Sequence, residues 1–460
     1  MKKSLMCRVV NVMPYKRDIL LSFVLFVAGI ILHFAYIWAI TRIDALGDLN
    51  WFLPDTSSYL HSARAFIETG VFARGGYPDY HRTIGYPLFL TIALRTADIF
   101  RADWLHVVVC AQVLLFALAY PVIYLIARLV FGFREIPAMF VSLPTVALGC
   151  FVTYSPFVLA DGLFAVFFLI SFLLAFLAIR FQSFWIALGY VMSVTLAANI
   201  RPMLAFFPLA VLCFQWGYAK NAGLDGNRRV RCLLFVGGMS AMIGVNTPSV
   251  RNWYHHGVFT PTRIGSINLF DYLAKDVLYM KGEQNRYEVV DARLNGSDDA
   301  PGQVGCRIAI RKHEAFKVYL EYPLETVAIL FYNTLLNSVE THWQNMFYLF
   351  HKTWYKDYPQ GDVLRSPGPF SVAVCFILLY GVIYSLAFLQ VFVVFNKPIL
   401  LIGVFLFLLP YAFCGTAFQG ARFRLWLEPF VIIAAIRSLL YIWEHTILRK
   451  SDSCQEAASS

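Results

Sequence analysis

Residues 51–90, WFLPDTSSYLHSARAFIETGVFARGGYPDYHRTIGYPLFL, are the one long polar interruption in the first half of a chain that is otherwise mostly apolar. They follow the run 19–40, which is apolar apart from His33 and a few hydroxyls and has about the 20 residues needed to cross the hydrocarbon core of a bilayer. That run is too long for a signal-peptide core and lacks a small-residue cleavage site, so it reads as a retained helix. Lys2, Lys3, Arg8, Lys16 and Arg17 precede it and place its start in the cytoplasm, which puts 51–90 on the outer face.

The rest of the composition agrees. Hydrophobic residues make up 59% of the chain and charged residues only 14%, against about 25% charged in soluble domains. The net charge of +10 comes from Lys and Arg placed between apolar runs, as expected for residues that orient spans and meet anionic headgroups; no nucleic-acid partner is implied. Nine cysteines show no CxxC and no pairing with histidine, so neither a disulfide framework nor a zinc site is expected.

Further apolar runs at 104–131, 136–154, 159–179, 185–200, 203–216, 232–245, 372–395, 399–418 and 429–445 predict an all-α polytopic membrane protein with about 10 transmembrane helices, in a range of 10–12. Residues 85–100, interrupted by Arg95 and Asp98, read as a helix along the membrane surface. The loop 217–231 holds Lys220, Arg228, Arg229 and Arg231 against Asp225 alone and is the clearest cytoplasmic segment. The expected organisation is a cytoplasmic N-terminus (1–18), a first transmembrane helix (19–41) and an extracytoplasmic loop with juxtamembrane helices (42–103). A transmembrane bundle (104–247), a large outer loop (248–371), C-terminal transmembrane helices (372–447) and a cytoplasmic tail (448–460) follow. Within the large loop, 322–339 reads as an interfacial helix or a short extra span. No phosphate-binding glycine loop occurs, so a cytoplasmic nucleotide is not expected as a direct substrate.

Four polar groups fall near the outer ends of the spans. Asp55 and Tyr59, at i and i+4, share one face of a helix expected over 56–68; taken alone, Asp55 reads first as its N-cap, a role that can coexist with a functional one. Arg82 and Tyr86 lie in HRTIGYP, where the arginine suits either a lipid phosphate or an interfacial anchor. Asp161 opens a membrane helix, where a carboxylate is costly unless paired, wet or capping. Arg201, Arg251, Arg263, Arg422 and Arg424 form the fourth group, with Glu428 one turn beyond the last pair; gathered at one site they would suit an anionic ligand, and singly they read as headgroup anchors.

The order Asp55-x-x-x-Tyr59, RTIGYP, an acid in a short outer turn, NIRP, PSVRNWYHHGVFTPTRIGSINLF and ARFRLWLEP resembles the membrane-embedded GT-C glycosyltransferases. The resemblance spans roughly residues 20–445 and is nearest to the branch of protein O-mannosyltransferases and lipid A aminoarabinose transferases. It implies a polyprenyl-phosphate-linked sugar donor, Asp55 as the catalytic carboxylate and Arg82 near the donor phosphate, joined by Arg201, Arg251, Arg422 and Arg424. Tyr59, Tyr86, Asp161 and Glu428 would support the site. Asp55 is followed by Thr56 where many protein mannosyltransferases carry a second acid, and no large soluble acceptor domain follows the spans, which counts against a protein-mannosylating role. The acceptor stays open among lipid, polysaccharide and protein hydroxyls, and the location implied is the inner (plasma) membrane with the site facing outward. No metal is expected to be obligatory, with a divalent cation bridging Asp55 or Asp161 to phosphate left open. Two alternatives are an O-antigen polymerase or ligase, which would use the late-loop histidines His255, His256, His313, His342 and His351, and a lipid-linked sugar transporter.

Overall fold

Uninterrupted apolar stretches must bury their backbone polar groups in their own hydrogen bonds, and the chain does so as helices. The structure, a computed structural model, describes residues 16–42, 55–74, 76–147, 150–295, 301–339, 378–389, 402–408 and 425–459. In chain order these form α1 (Lys16–Arg42), α2 (Thr56–Thr69), a two-stranded antiparallel hairpin of β1 (Ala73–Arg74) and β2 (Tyr77–Pro78), and α3 (Gly85–Phe100). Then come α4 (Trp104–Ala117), α5 (Ala119–Leu125) with a π-helical turn at Ile126–Val130, α6 (Glu135–Ala147), α7 (Cys150–Tyr154), α8 (Ala160–Phe181) and α9 (Phe184–Ile200). After these lie α10 (Phe207–Asn221), α11 (Arg228–Val245) and α12 (Thr247–His256). The segment 264–339 holds α13 (Ile264–Ile267), a π-helical turn at Asn268–Ala274, α14 (Lys275–Met280), α15 (Gln284–Asn295), α16 (Pro301–Glu321) and α17 (Pro323–Val339), and the long last helix is Glu428–Ser459.

Three described helices are long and apolar enough to cross a membrane: Lys16–Ala39, Trp104–Val130 and Ala160–Phe181. A fourth follows if Arg228–Val245 and Thr247–His256, bent by 40°, are one span. The expected runs at 185–200 and 203–216 form α9 (17 residues) and α10 (15 residues), each short of the about 20 residues of a full span. The run at 136–154 divides into α6 and α7, and Pro202 ends α9 at Ile200 because a proline cannot continue the ladder. Much of the expected runs at 372–395 and 399–418 lies outside the described residues, as does 340–371 of the large loop.

The most deeply buried helix is α8, apolar on all sides, which is the pattern of a helix inside a bundle rather than at its surface. Phe168 at its middle meets Phe207, Phe407 and Trp426 with ring centroids 4.4, 5.8 and 4.9 Å away, so helices distant in sequence close on one aromatic centre. The segment 264–339 has a small core of its own, with Phe270, Val277, Leu278, Leu294, Ala315 and Val318 buried together.

The bundle has two polar ends. At one, Asp18 accepts from Tyr124 Oη (2.6 Å) and Arg128 Nε (3.1 Å), Arg17 pairs with Glu135, and Arg180 and Arg437 donate to the carbonyls of Leu129 and Phe131. The other gathers the ends of α2, α3, α8 and α9, and there Gly85 sets how closely α3 approaches α9. A Cβ on Gly85 would stand 2.6 Å from the carbonyl carbon and oxygen of Asn199, atoms of backbone that cannot swing aside. Gly85→Ala is therefore expected to lower stability by roughly 1–3 kcal/mol, the usual cost of overpacking; a melting temperature equal to the wild type in thermal unfolding of the purified protein would show that the two helices can separate freely.

Candidate active site

A helix places residues i, i+3 and i+4 on one face, and α2 uses this at its first turn for Asp55, Ser58 and Tyr59. Arg82, 27 residues on from Asp55, lies across that face and engages all three. Its Nη2 is 2.6 Å from Asp55 Oδ1, its Nε donates to Ser58 Oγ (2.8 Å) and its Nη1 to Tyr59 Oη (3.3 Å). The guanidinium carbon also stands 4.5 Å from the Tyr59 ring centroid, a cation–π contact. Ser58 in turn donates to the carbonyl of Asp55 (2.6 Å). The Arg82 side chain is 9% exposed and that of Asp55 29%. The arginine is thus nearly sealed while the carboxylate keeps an open side.

Asp55 does not cap α2. Its own backbone is already helical (φ −76°, ψ −25°) and its side chain makes no cap bond. The carboxylate that receives backbone N–H groups here is Asp79, whose Oδ1 accepts from His81 N (2.8 Å) and Arg82 N (3.2 Å) and so shapes the loop that delivers Arg82.

Arg82 and Arg201 were both expected near phosphate from sequence; each is found beside an acid. Arg201 Nη1 lies 2.6 Å from Asp161 Oδ1, and this pair is buried, with Asp161 1% exposed in the first turn of α8. A buried pair of this kind gives up hydration on both partners, and losing one of them leaves an uncompensated charge. The two acid sites are tied together: Thr56 donates to the carbonyl of Val158 (2.8 Å) and Thr83 to that of Ile200 (2.9 Å).

The late arginines approach from the other side. Arg251 donates to the carbonyl of Asp79, the Arg263 backbone N–H donates to Tyr80 O (3.2 Å) and Arg263 Nη1 to Tyr80 Oη (3.1 Å). Val304 and Ile308 of α16 pack on Tyr80 as well, so residues 251–308 hold the 79–82 segment from several points. Burial pulls the Arg251 pKa below its ordinary value, with Asp79 opposing. Glu428 is buried and accepts from Tyr380 Oη (2.5 Å). Arg422 and Arg424 lie outside the described residues.

Three participants were not singled out from sequence: Ser58, Asp79 and Gln112. Asp79 carried a local signal, since an aspartate two residues before a turn's N–H groups is a recognised turn former. Gln112 sits inside an apolar run and is marked only by being polar there. Among the described residues no group of three or more His, Cys, Asp or Glu could hold a metal ion.

No family model matches the chain, and no curated protein matches it in sequence.

The His81 imidazole is strongly altered by this arrangement. Burial first, then the charges of Arg82, Arg263 and Arg74, push its pKa from 6.5 down to about 3, with Asp55 opposing. The folded protein therefore keeps the imidazole neutral where the unfolded chain protonates it, and stability is lost as pH falls from about 6.5 toward 3. His81→Asn is expected to flatten that loss. Melting temperatures of both proteins at about pH 7 and about pH 4.5 check it: parallel falls would contradict a neutral buried His81.

Proposed function

We propose that the chain is an integral-membrane glycosyltransferase that moves a sugar from a polyprenyl-phosphate donor to an acceptor hydroxyl at the extracytoplasmic face. The observation that carries this reading is Asp55: a partly open carboxylate, oriented by an arginine instead of capping its helix, at the end of a bundle whose other end is ringed by Arg17, Arg128, Arg180 and Arg437. The excess of basic residues at that other end suits the cytoplasmic side, which leaves Asp55 outside. The same reading takes the shorter apolar helices, α9 and Leu378–Leu389 among them, as spans alongside the longer ones, toward a total of about 10 in the inner membrane.

The proposed reaction is an inverting displacement. Asp55 takes the acceptor O–H proton as that oxygen forms its bond to the anomeric carbon, and the bond from that carbon to the phosphate oxygen breaks with its electron pair leaving on phosphate. Because a phosphate leaving group needs positive charge more than a proton, Arg251 and Arg263, held against residues 79 and 80, supply the stabilisation. Arg82 holds Asp55 toward the acceptor, and the sealed Arg201–Asp161 pair supports the wall behind it. The resemblance to the GT-C enzymes supports the donor class; the sugar and the acceptor are open among lipid, polysaccharide and protein hydroxyls.

Asp55→Asn keeps the size of the side chain and one acceptor for Arg82 while removing the base. Transfer of labelled sugar from polyprenyl-phosphate-sugar in membranes should fall by about 10²–10⁴-fold at equal levels of folded protein. Full transfer by the variant would remove Asp55 from the chemistry and favour a late-loop enzyme, for which the edge contact of His256 with Tyr80 (5.2 Å between centroids) is the starting observation.

A further inference from the structure

We propose that Gln112 is a positioning residue for Asp55, acting from inside the membrane-spanning helix Trp104–Val130; this rests on the reading of Asp55 as the reacting carboxylate. Gln112 is fully buried, eight residues into that helix and so about 12 Å from its start at 1.5 Å per residue. A primary amide so placed needs partners for its oxygen and its nitrogen, and it has them on two different elements. Its Oε1 accepts from Tyr86 Oη (2.7 Å), and its Nε2 donates to the carbonyls of Phe157 (2.9 Å) and Ser155 (3.3 Å).

Each partner leads to Asp55. Tyr86 meets Tyr59 edge to face at 5.0 Å, and Tyr59 carries the Arg82 guanidinium on its ring and accepts from Arg82 Nη1. Burial first, then Tyr59 and Asp161, raise the Tyr86 phenol well above its ordinary pKa, so it stays protonated and stays a donor to Gln112. In the other direction, the turn that Gln112 holds at Ser155 and Phe157 also receives the Thr56 hydroxyl at Val158 and then opens α8 with Asp161. The path from Gln112 through Tyr86, Tyr59 and Arg82 to Asp55, and back through Thr56 and the turn, closes on itself. A staple joining two helices would need only one of these arms; here one arm ends on the Asp55 carboxylate and the other on the adjacent Thr56, so together they fix both the start of α2 and the direction of that carboxylate. Gln112 itself is fully buried, and its effect passes through Tyr86 and the turn.

The test reads Asp55 directly. The full chain in lipid nanodiscs is treated with a water-soluble carbodiimide and glycine ethyl ester at fixed pH, and labelling of Asp55 is quantified by peptide mass spectrometry. Pairing with Arg82 protects the carboxylate, so Arg82→Gln sets the unprotected level. Gln112→Leu is expected to raise Asp55 labelling several-fold toward that level. Tyr86→Phe, which removes only the phenol, is expected to move it the same way, and Gln112→Glu, which keeps an acceptor for Tyr86 but loses donors, to fall between. Wild-type labelling in both Gln112→Leu and Tyr86→Phe, with a lowered melting temperature, would reduce Gln112 to a structural tie and overturn the proposal. Should Gln112→Leu fail to fold, Tyr86→Phe decides alone. A labelling response in a protein whose wild type transfers no sugar would uphold the link to Asp55 while removing the glycosyltransferase reading.

Discussion

A guanidinium and a carboxylate 2.6 Å apart, on elements 27 residues distant in sequence, fix what the polar end of this bundle can do. A carboxylate near hydrocarbon is costly unless it is paired or wet, and Asp55 is both: Arg82 holds one oxygen, and the side chain keeps an open face. The short α2 helix, the Asp79 turn and the Tyr59–Tyr86 contact all serve to bring that arginine to that acid. The second pair, Arg201 with Asp161, is sealed and carries the opposite character. Two acids, similar in sequence context, are thus separated into one that solvent reaches and one that it does not.

The close approach of α3 to α9 at Gly85 and the bonds from Thr56 and Thr83 to backbone carbonyls hold these pairs in fixed relation. The segment 251–339 adds a third layer. It has its own core, and it reaches the site through Arg251, Arg263, Val304 and Ile308 around Tyr80. Chemistry at Asp55 would therefore draw on the first and second halves of the chain together, which a reading of either half alone does not suggest.

Much of the helical framework was legible because apolar run length is a one-dimensional signal. The helix expected from 56 to 68 is Thr56–Thr69, the span expected at 104–131 is Trp104–Val130, and that at 159–179 is Ala160–Phe181. The i, i+4 relation of Asp55 and Tyr59 was legible for the same reason. What sequence did not disclose is tertiary. The capping and anchoring readings of Asp55, Arg82 and Arg201 are local rules, and they are displaced here by partners tens of residues away. Gln112 gave no periodic signal, since its role depends on Tyr86 and on a turn 43 to 45 residues later. The ordered core of the segment 264–339 was hidden by its mean polarity, because its apolar residues are spread over several helices.

The most direct measurement is to locate the lipid. Polyprenyl phosphate carrying a photoreactive group beside the phosphate, cross-linked to the full chain in nanodiscs and mapped by peptide mass spectrometry, should mark the segments around residues 79–86 and 251–263, with unlabelled polyprenyl phosphate competing. Cross-links confined to the opposite end of the bundle, around Arg17, Arg128 and Arg437, would contradict the account.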